Sequence, residues 1–137
     1  MLYDEISVGD AATFEKTISE SDVYLFAGIT GDLNPAHVNQ KYAESTKFKT
    51  RIVHGMLTGS LFSTIFGTKL PGAGSIYVSQ TLTFVAPVPL GETVTATVTV
   101  AEKLPKGRIK FDCKATTPDG TVVVEGEAIL LPPRPAA

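Results

Sequence analysis

Polar and apolar positions alternate along much of this chain with a period of two, and one internal stretch breaks that rhythm. Residues Glu92 to Glu102 exchange Thr with Val or Ala at nearly every step, as a half-buried strand does. Strands are likewise predicted over residues 11 to 18, Ser75 to Val85, Arg108 to Thr117 and Thr121 to Leu131. Pro118-Asp119-Gly120 between the last two predicts a hairpin turn, because Pro presets its own φ and Gly accepts a positive one. Pro87-Val88-Pro89-Leu90-Gly91 separates the strand ending at Val85 from the next. Residues 132 to 137, Pro-Pro-Arg-Pro-Ala-Ala, predict a frayed tail.

The exception is Gly55 to Thr68. Met56, Leu57, Leu61, Phe62, Ile65 and Phe66 cover most of a helical circumference there, and the other positions are Gly, Ser and Thr without a charge. A helix apolar nearly all round is a buried one. Its length is about 21 Å at 1.5 Å per residue. Gly59 and Gly67 each cost roughly 1 kcal/mol of helix propensity, which close packing would justify. Leu70-Pro71-Gly72 ends it. Two shorter helices precede it. One starts at Ser19, with Asp22 three residues on as a capping box, and runs through Val23, Tyr24, Phe26 and Ala27 into Gly28. The other covers residues 39 to 45.

A buried helix, one strand before it and several long strands after it predict an α+β domain: an antiparallel sheet wrapped around a long central helix. With 137 residues the chain is long enough for one domain, 1–137, with its own core. It has no repeat and no low-complexity segment. The net charge of −2 and the lack of a basic stripe speak against nucleic acid as a partner. No apolar run approaches the roughly 18 residues of a membrane span. The start Met1-Leu2-Tyr3-Asp4-Glu5 carries no secretory signal. The lone Cys113 excludes an internal disulfide and suits a reducing compartment, so the expected location is cytoplasmic.

Chemistry concentrates in Thr30-Gly31-Asp32-Leu33-Asn34-Pro35-Ala36-His37. Asp32 and His37 are five positions apart. On a helix they would lie roughly 140° apart, and on a strand they would face opposite sides. A sharp bend is needed to aim both at one point. Pro35 supplies it by fixing its own φ and pushing Asn34 toward an extended conformation. Asn34 can then cap a short helix with Pro35 in its first position. Asn-Pro turns are common in themselves, and this one is set apart by Phe26, Thr30-Gly31, His37 and Ala43 around it.

A carboxylate and an imidazole sharing one water can move two protons on one face of a substrate. Their ordinary titrations, near ~3.9 and ~6.5, bracket a useful range. The same chemistry asks that Asp32 be buried beside apolar side chains. Gly55 opens the long helix, where unpaired N–H groups and a partial positive charge can receive a carbonyl oxygen. His54 reads as a structural residue at the helix entrance. Cys113, on a strand, reads as a packed thiol. Two histidines and one cysteine without ligand spacing predict no metal site. Gly72-Ala73-Gly74 precedes a strand and lacks a dinucleotide-binding context. Lys47, Lys49, Arg51, Lys103, Lys106 and Arg108 are surface charges that can also meet a phosphate.

Together these stretches resemble the R-specific enoyl-CoA hydratases of the MaoC-like hotdog family. The likeness rests on Phe26, the Thr30–His37 stretch and Ala43, then Ile52-Val53-His54-Gly55-Met56, Leu70-Pro71-Gly72, and the strand through Phe84 and Pro87. Ala36 departs from it, since the family more often has a branched aliphatic residue there. The resemblance implies a hotdog fold and reversible hydration of trans-2-enoyl-CoA to (R)-3-hydroxyacyl-CoA. It further implies Asp32 and His37 as the catalytic pair, Gly55 as donor to the thioester carbonyl, and Asn34 and Ser63 in support, Ser63 by a hydrogen bond to Asp32. Coenzyme A would be part of the substrate, with no separate cofactor. A homodimer joined edge to edge is implied, with the acyl-CoA tunnel along the subunit boundary and a place in polyester precursor supply or fatty-acid breakdown.

Base and acid within the pair stay unassigned at this stage. A hotdog dehydratase taking its acid from the central helix is disfavoured, because residues 55 to 68 contain no Asp, Glu or His. A hotdog thioesterase and a non-catalytic acyl-CoA-binding module are the remaining alternatives. The Asp32–Asn34–His37 set weighs against the module, since a mere binder has no use for the pair.

Overall fold

The computed structural model describes residues 1–136; Ala137, the last residue of the expected tail, lies outside them. The elements in order are β1 (Ala11–Thr17), α1 (Glu20–Thr30), α2 (Pro35–Val38), α3 (Gln40–Glu44), α4 (Gly55–Thr68), β2 (Ile76–Gln80), β3 (Thr83–Phe84), β4 (Thr93–Lys103), β5 (Ile109–Thr116) and β6 (Val122–Leu131). Short 3₁₀ turns at Tyr3–Glu5 and Pro105–Gly107 complete it. The strands form one antiparallel sheet in the order β1-β4-β5-β6-β2, with β3 also paired to β6. The fold is the expected α+β hotdog arrangement.

Period-two patterning explains the sheet. Val94, Ala96, Val98 and Val100 of β4 are buried, and the threonines between them are half-exposed. Ile109, Phe111, Cys113 and Ala115 of β5 face the same core. Across it lie Leu61, Phe62, Ile65 and Phe66 of α4, which packs against β1, β4, β5 and β6. Alanines at 96, 115 and 128 leave room for the aromatic rings of the helix.

Helix α4 has its expected bounds, but it is not buried all round. Met56, Ser60, Ser63 and Gly67 form an open face, and Met56 is 59% exposed. Gly59 does admit close packing, since a Cβ there would lie 2.8 Å from Leu82 Cδ1. Gly67 does not: nothing lies within 4 Å of its notional Cβ, so packing does not explain that glycine. The strand expected from Ser75 to Val85 is broken between β2 and β3. There the main chain of Thr81 crosses so close to Gly126 of β6 that a Cβ would collide with the Thr81 carbonyl. The first helix runs past Gly28 to Thr30 and ends at Gly31, whose φ of 81° places it in the left-handed region favoured at helix ends. The tail also departs from expectation, since Pro132 is buried and Pro133 packs on Gly74.

Candidate active site

The Thr30–His37 stretch crosses from α1 to α2 outside the sheet. Ser19 starts α1 with a complete capping box, its hydroxyl accepting from the Asp22 N–H and the Asp22 carboxylate accepting from the Ser19 N–H. Those bonds hold the Asp22 carboxyl below the usual carboxylate range. Past Gly31, Asp32 Oδ1 accepts from the Asn34 N–H at 3.2 Å. Asn34 Oδ1 accepts from the Ala36 N–H at 3.0 Å and so caps α2, with Pro35 in its first turn. The bend is the one the residues predict.

It brings Asp32 and His37 together with a third group. Asp32, His37 and His54 each present one polar side-chain atom, all within 4.8 Å of one another. His37 Nδ1 lies 2.7 Å from the main-chain oxygen of Ile52. A carbonyl can only accept, so Nδ1 carries the hydrogen and the neutral ring keeps its lone pair on Nε2. The His37 and His54 rings are stacked, with centroids 3.9 Å apart and planes at 29°. An ion bound in the plane of one ring would lie off the plane of the other, so the stack is a packing contact and not two ligands converging on a metal.

A cavity of about 440 Å³ opens beside these groups. Asp32, His37, His54 and Gly55 line it on one side, with Val85 and Val124 among the apolar walls. The Gly55 N–H begins α4 and has no acceptor among the described residues. A Cβ at Gly55 would stand 2.5 Å from Phe84 Cδ1, so the missing side chain makes room for the Phe84 ring. A carbonyl oxygen can approach this N–H, and a water can sit between carboxylate and imidazole.

Other expected residues fall differently. Asp32 is exposed, so the burial expected for it is not found. Ser63 makes no hydrogen bond to Asp32 among the described residues. It is exposed on the open face of α4 and lines a second cavity with Phe26, Tyr77 and Leu82. Arg51 is committed within the chain: its guanidinium reaches Glu20 and the Tyr24 hydroxyl at 2.6 Å each, and Gln40 Oε1 at 3.1 Å. It thereby ties α1 to α3 on either side of the Thr30–His37 bend. Lys47 lines the first cavity, and Lys49 is exposed. Cys113 is buried, and burial pushes its thiol up to about 11, as befits packing. Residues 47 to 54 contribute more than the sequence suggests. Ile52 acts through its main-chain oxygen, which no side-chain identity could have marked.

Comparison with known proteins places these features. A MaoC-like domain model matches residues 7–122. The chain is 53% identical, over 96% of its length and 91% of the relative's, to an (R)-specific enoyl-CoA hydratase of Rhodospirillum rubrum. In structure it resembles the unliganded R-hydratase PhaJ1 of Pseudomonas aeruginosa, with a TM-score of 0.94 and 44% identity over 98% of this chain and 86% of that one. It also resembles an (R)-hydratase of Aeromonas caviae involved in PHA biosynthesis, with a TM-score of 0.91 and 39% identity over 93% and 98% of the two chains.

Proposed function

This chain belongs to the MaoC-like domain family, and from that premise we propose that it is an (R)-specific enoyl-CoA hydratase. The observation that carries the proposal is the meeting of Asp32 and His37 at a cavity that also holds the Gly55 N–H. Reversible hydration of a trans-2-enoyl thioester needs a hydroxyl at C3, a proton at C2 and a donor for the enolate-like oxygen. The water sits between the Asp32 carboxylate and His37 Nε2, both of which accept from it. Its oxygen adds to C3 as Asp32 polarises it and His37 shares the released proton, which is then delivered to C2 on the same face. The thioester oxygen gathers charge at the Gly55 N–H, where such a donor is worth ~10²–10³-fold. Asn34 acts through the bend it caps. Coenzyme A is part of the substrate, and the residues' own chemistry requires no further cofactor.

The active form we propose is a homodimer. Strand β2 is a sheet edge whose Ile76, Tyr77 and Val78 are exposed, as are Leu25 and Ile29 of α1 and Met56 of α4. An apolar face of this kind beside an unpaired edge is an association surface. A second copy there would lengthen the sheet and shelter Asp32. Ser63, on the same side of α4, would then act at the subunit boundary. No described helix is long and apolar enough to cross a membrane, and the cytoplasm is the compartment we propose. The place we propose for it is polyester precursor supply or fatty-acid breakdown, either of which an (R)-3-hydroxyacyl-CoA would serve.

The test is loss of enoyl-thioester absorbance with crotonyl-CoA, followed by assignment of the product's configuration. Hydration to the R alcohol is expected. Release of free thiol without hydration would reveal a thioesterase, and an S product would overturn the assignment.

A further inference from the structure

His54 is 2% exposed and sits at the N-cap position of α4 without capping it through its side chain. As a structural residue it is a poor choice, because Ser, Asp or Asn would cap the helix. Its Nε2 lies 3.0 Å from the main-chain oxygen of Asp32. That oxygen only accepts, so Nε2 carries the hydrogen and Nδ1 holds the lone pair. Nδ1 is buried and has no partner among the described residues, although buried polar atoms are ordinarily bonded. The ring stacks on His37 and meets Phe26 with centroids 4.9 Å apart at 58°. Every directed contact of this side chain is therefore with the catalytic bend or with the helix leading into it.

We infer that His54 is a positioning residue for both members of the pair, pinning the Asp32 main chain with its Nε2–H and the plane of the His37 ring with its face. Asp32 lies on an exposed segment and His37 is half-exposed, whereas His54 is itself buried at the N-cap of α4. It carries the rigidity of the core across to the two reacting groups. Misplacement of such groups by about 1 Å costs on the order of 10²-fold in rate. The inference rests on the hydratase reading for its kinetic consequence, though the contacts themselves do not.

The experiment compares His54→Gln, His54→Phe and His54→Ala in the full-length protein. Glutamine sets an amide N–H near the place of Nε2, and phenylalanine keeps the ring face without a donor. With crotonyl-CoA, kcat should fall ~10²-fold in His54→Ala while KM changes less than about threefold. His54→Gln should recover about tenfold of that loss, and His54→Phe should keep the melting temperature but not kcat. Independently of turnover, nitrogen-edited NMR follows the His37 Nδ1 proton held on Ile52. Its exchange with water should quicken at least about tenfold in His54→Ala, from the loss of a packed face. Wild-type kcat in His54→Phe, a change in KM alone, or unaltered exchange in His54→Ala would each overturn the inference. Absence of turnover in the wild type would instead strike at the hydratase reading, and the exchange measurement would still decide the positioning role.

Discussion

His37 donates from Nδ1 to the main-chain oxygen of Ile52 at 2.7 Å, and this bond leaves Nε2 as the unprotonated nitrogen of the neutral ring in the cluster that His37 forms with Asp32. A backbone acceptor cannot be mutated away, so the tautomer is fixed by the path of the chain entering α4. Asp32→Ala and His37→Ala should each lower kcat with crotonyl-CoA by at least ~10²–10⁴-fold, the usual contribution of a positioned acid or base. Asp32 is exposed and His37 half-exposed, so far-ultraviolet circular dichroism and thermal melting should be nearly unchanged. Turnover near the wild-type rate in either variant would remove the pair from the reaction.

Gly126→Ala should be among the most damaging single changes in the sheet. The added methyl would strike the main chain of Thr81 and Leu82, which has no rotamer to yield. A loss of about 1–3 kcal/mol or more is expected, as for an overpacked site, measured from the urea midpoint. A stability equal to the wild type would mean that the 80–83 crossover can move.

Ser19→Ala removes the hydroxyl that accepts from the Asp22 N–H at 3.1 Å. Loss of an N-cap costs about 0.5–2 kcal/mol. Because α1 leads directly into the bend, kcat/KM should drop along with the melting temperature. A variant as stable as the parent would show that the Lys16–Asp22 pair, at 3.2 Å, suffices to start the helix.

The buried Cys113 thiol is pushed up to about 11 from an ordinary 9.0, chiefly by burial. Between those values the unfolded chain gives up the thiol proton first, so the folded state holds the greater number of protons and stability falls as pH rises. Chemical denaturation should show that decline beginning near pH 9. Burial also raises the Tyr77 hydroxyl from its ordinary 10.0 and extends the decline above pH 10, so Cys113→Ala should flatten it between pH 9 and 10. In the native protein at pH 8 a thiol reagent should react far more slowly than after unfolding. Equal rates in the two states would contradict the burial.

Arg51→Met should loosen the bend without touching it. The guanidinium joins Glu20, Tyr24 and Gln40, and removing charged hydrogen bonds of this kind costs about 1–2 kcal/mol when the partners can rehydrate. Melting should register that loss, and kcat should fall further than KM rises. If KM alone rose, Arg51 would be acting on the substrate and not on α1 and α3.

How far the chain could be read in advance depended on where each cause lay. Helix α4 was legible end to end because its apolar residues and its stop are contiguous, as were the cap by Asn34 and the turn through Gly120. Its open face was not, since Met56 reads as apolar and Gly67 as a close-packing position although only one side of the rod meets the sheet. The interruption between β2 and β3 was hidden, because alternation continues through Thr81, Leu82 and Thr83 while the cause is a glycine in β6. Gly28 and Gly31 look alike in sequence, and only the latter has the positive φ that ends α1. At the site, Asp32, His37 and Gly55 were marked by residue type, but the stacking of His54 on His37 depends on tertiary distance.

The reacting groups ride on a segment that contributes nothing to the sheet, whereas Val85, Val124 and other apolar walls of the cavity flank or belong to its strands. Chemistry and capacity are thereby entrusted to separate stretches of sequence. Substitutions along the strand walls can therefore reshape the space open to an acyl tail without disturbing the bend that handles the water.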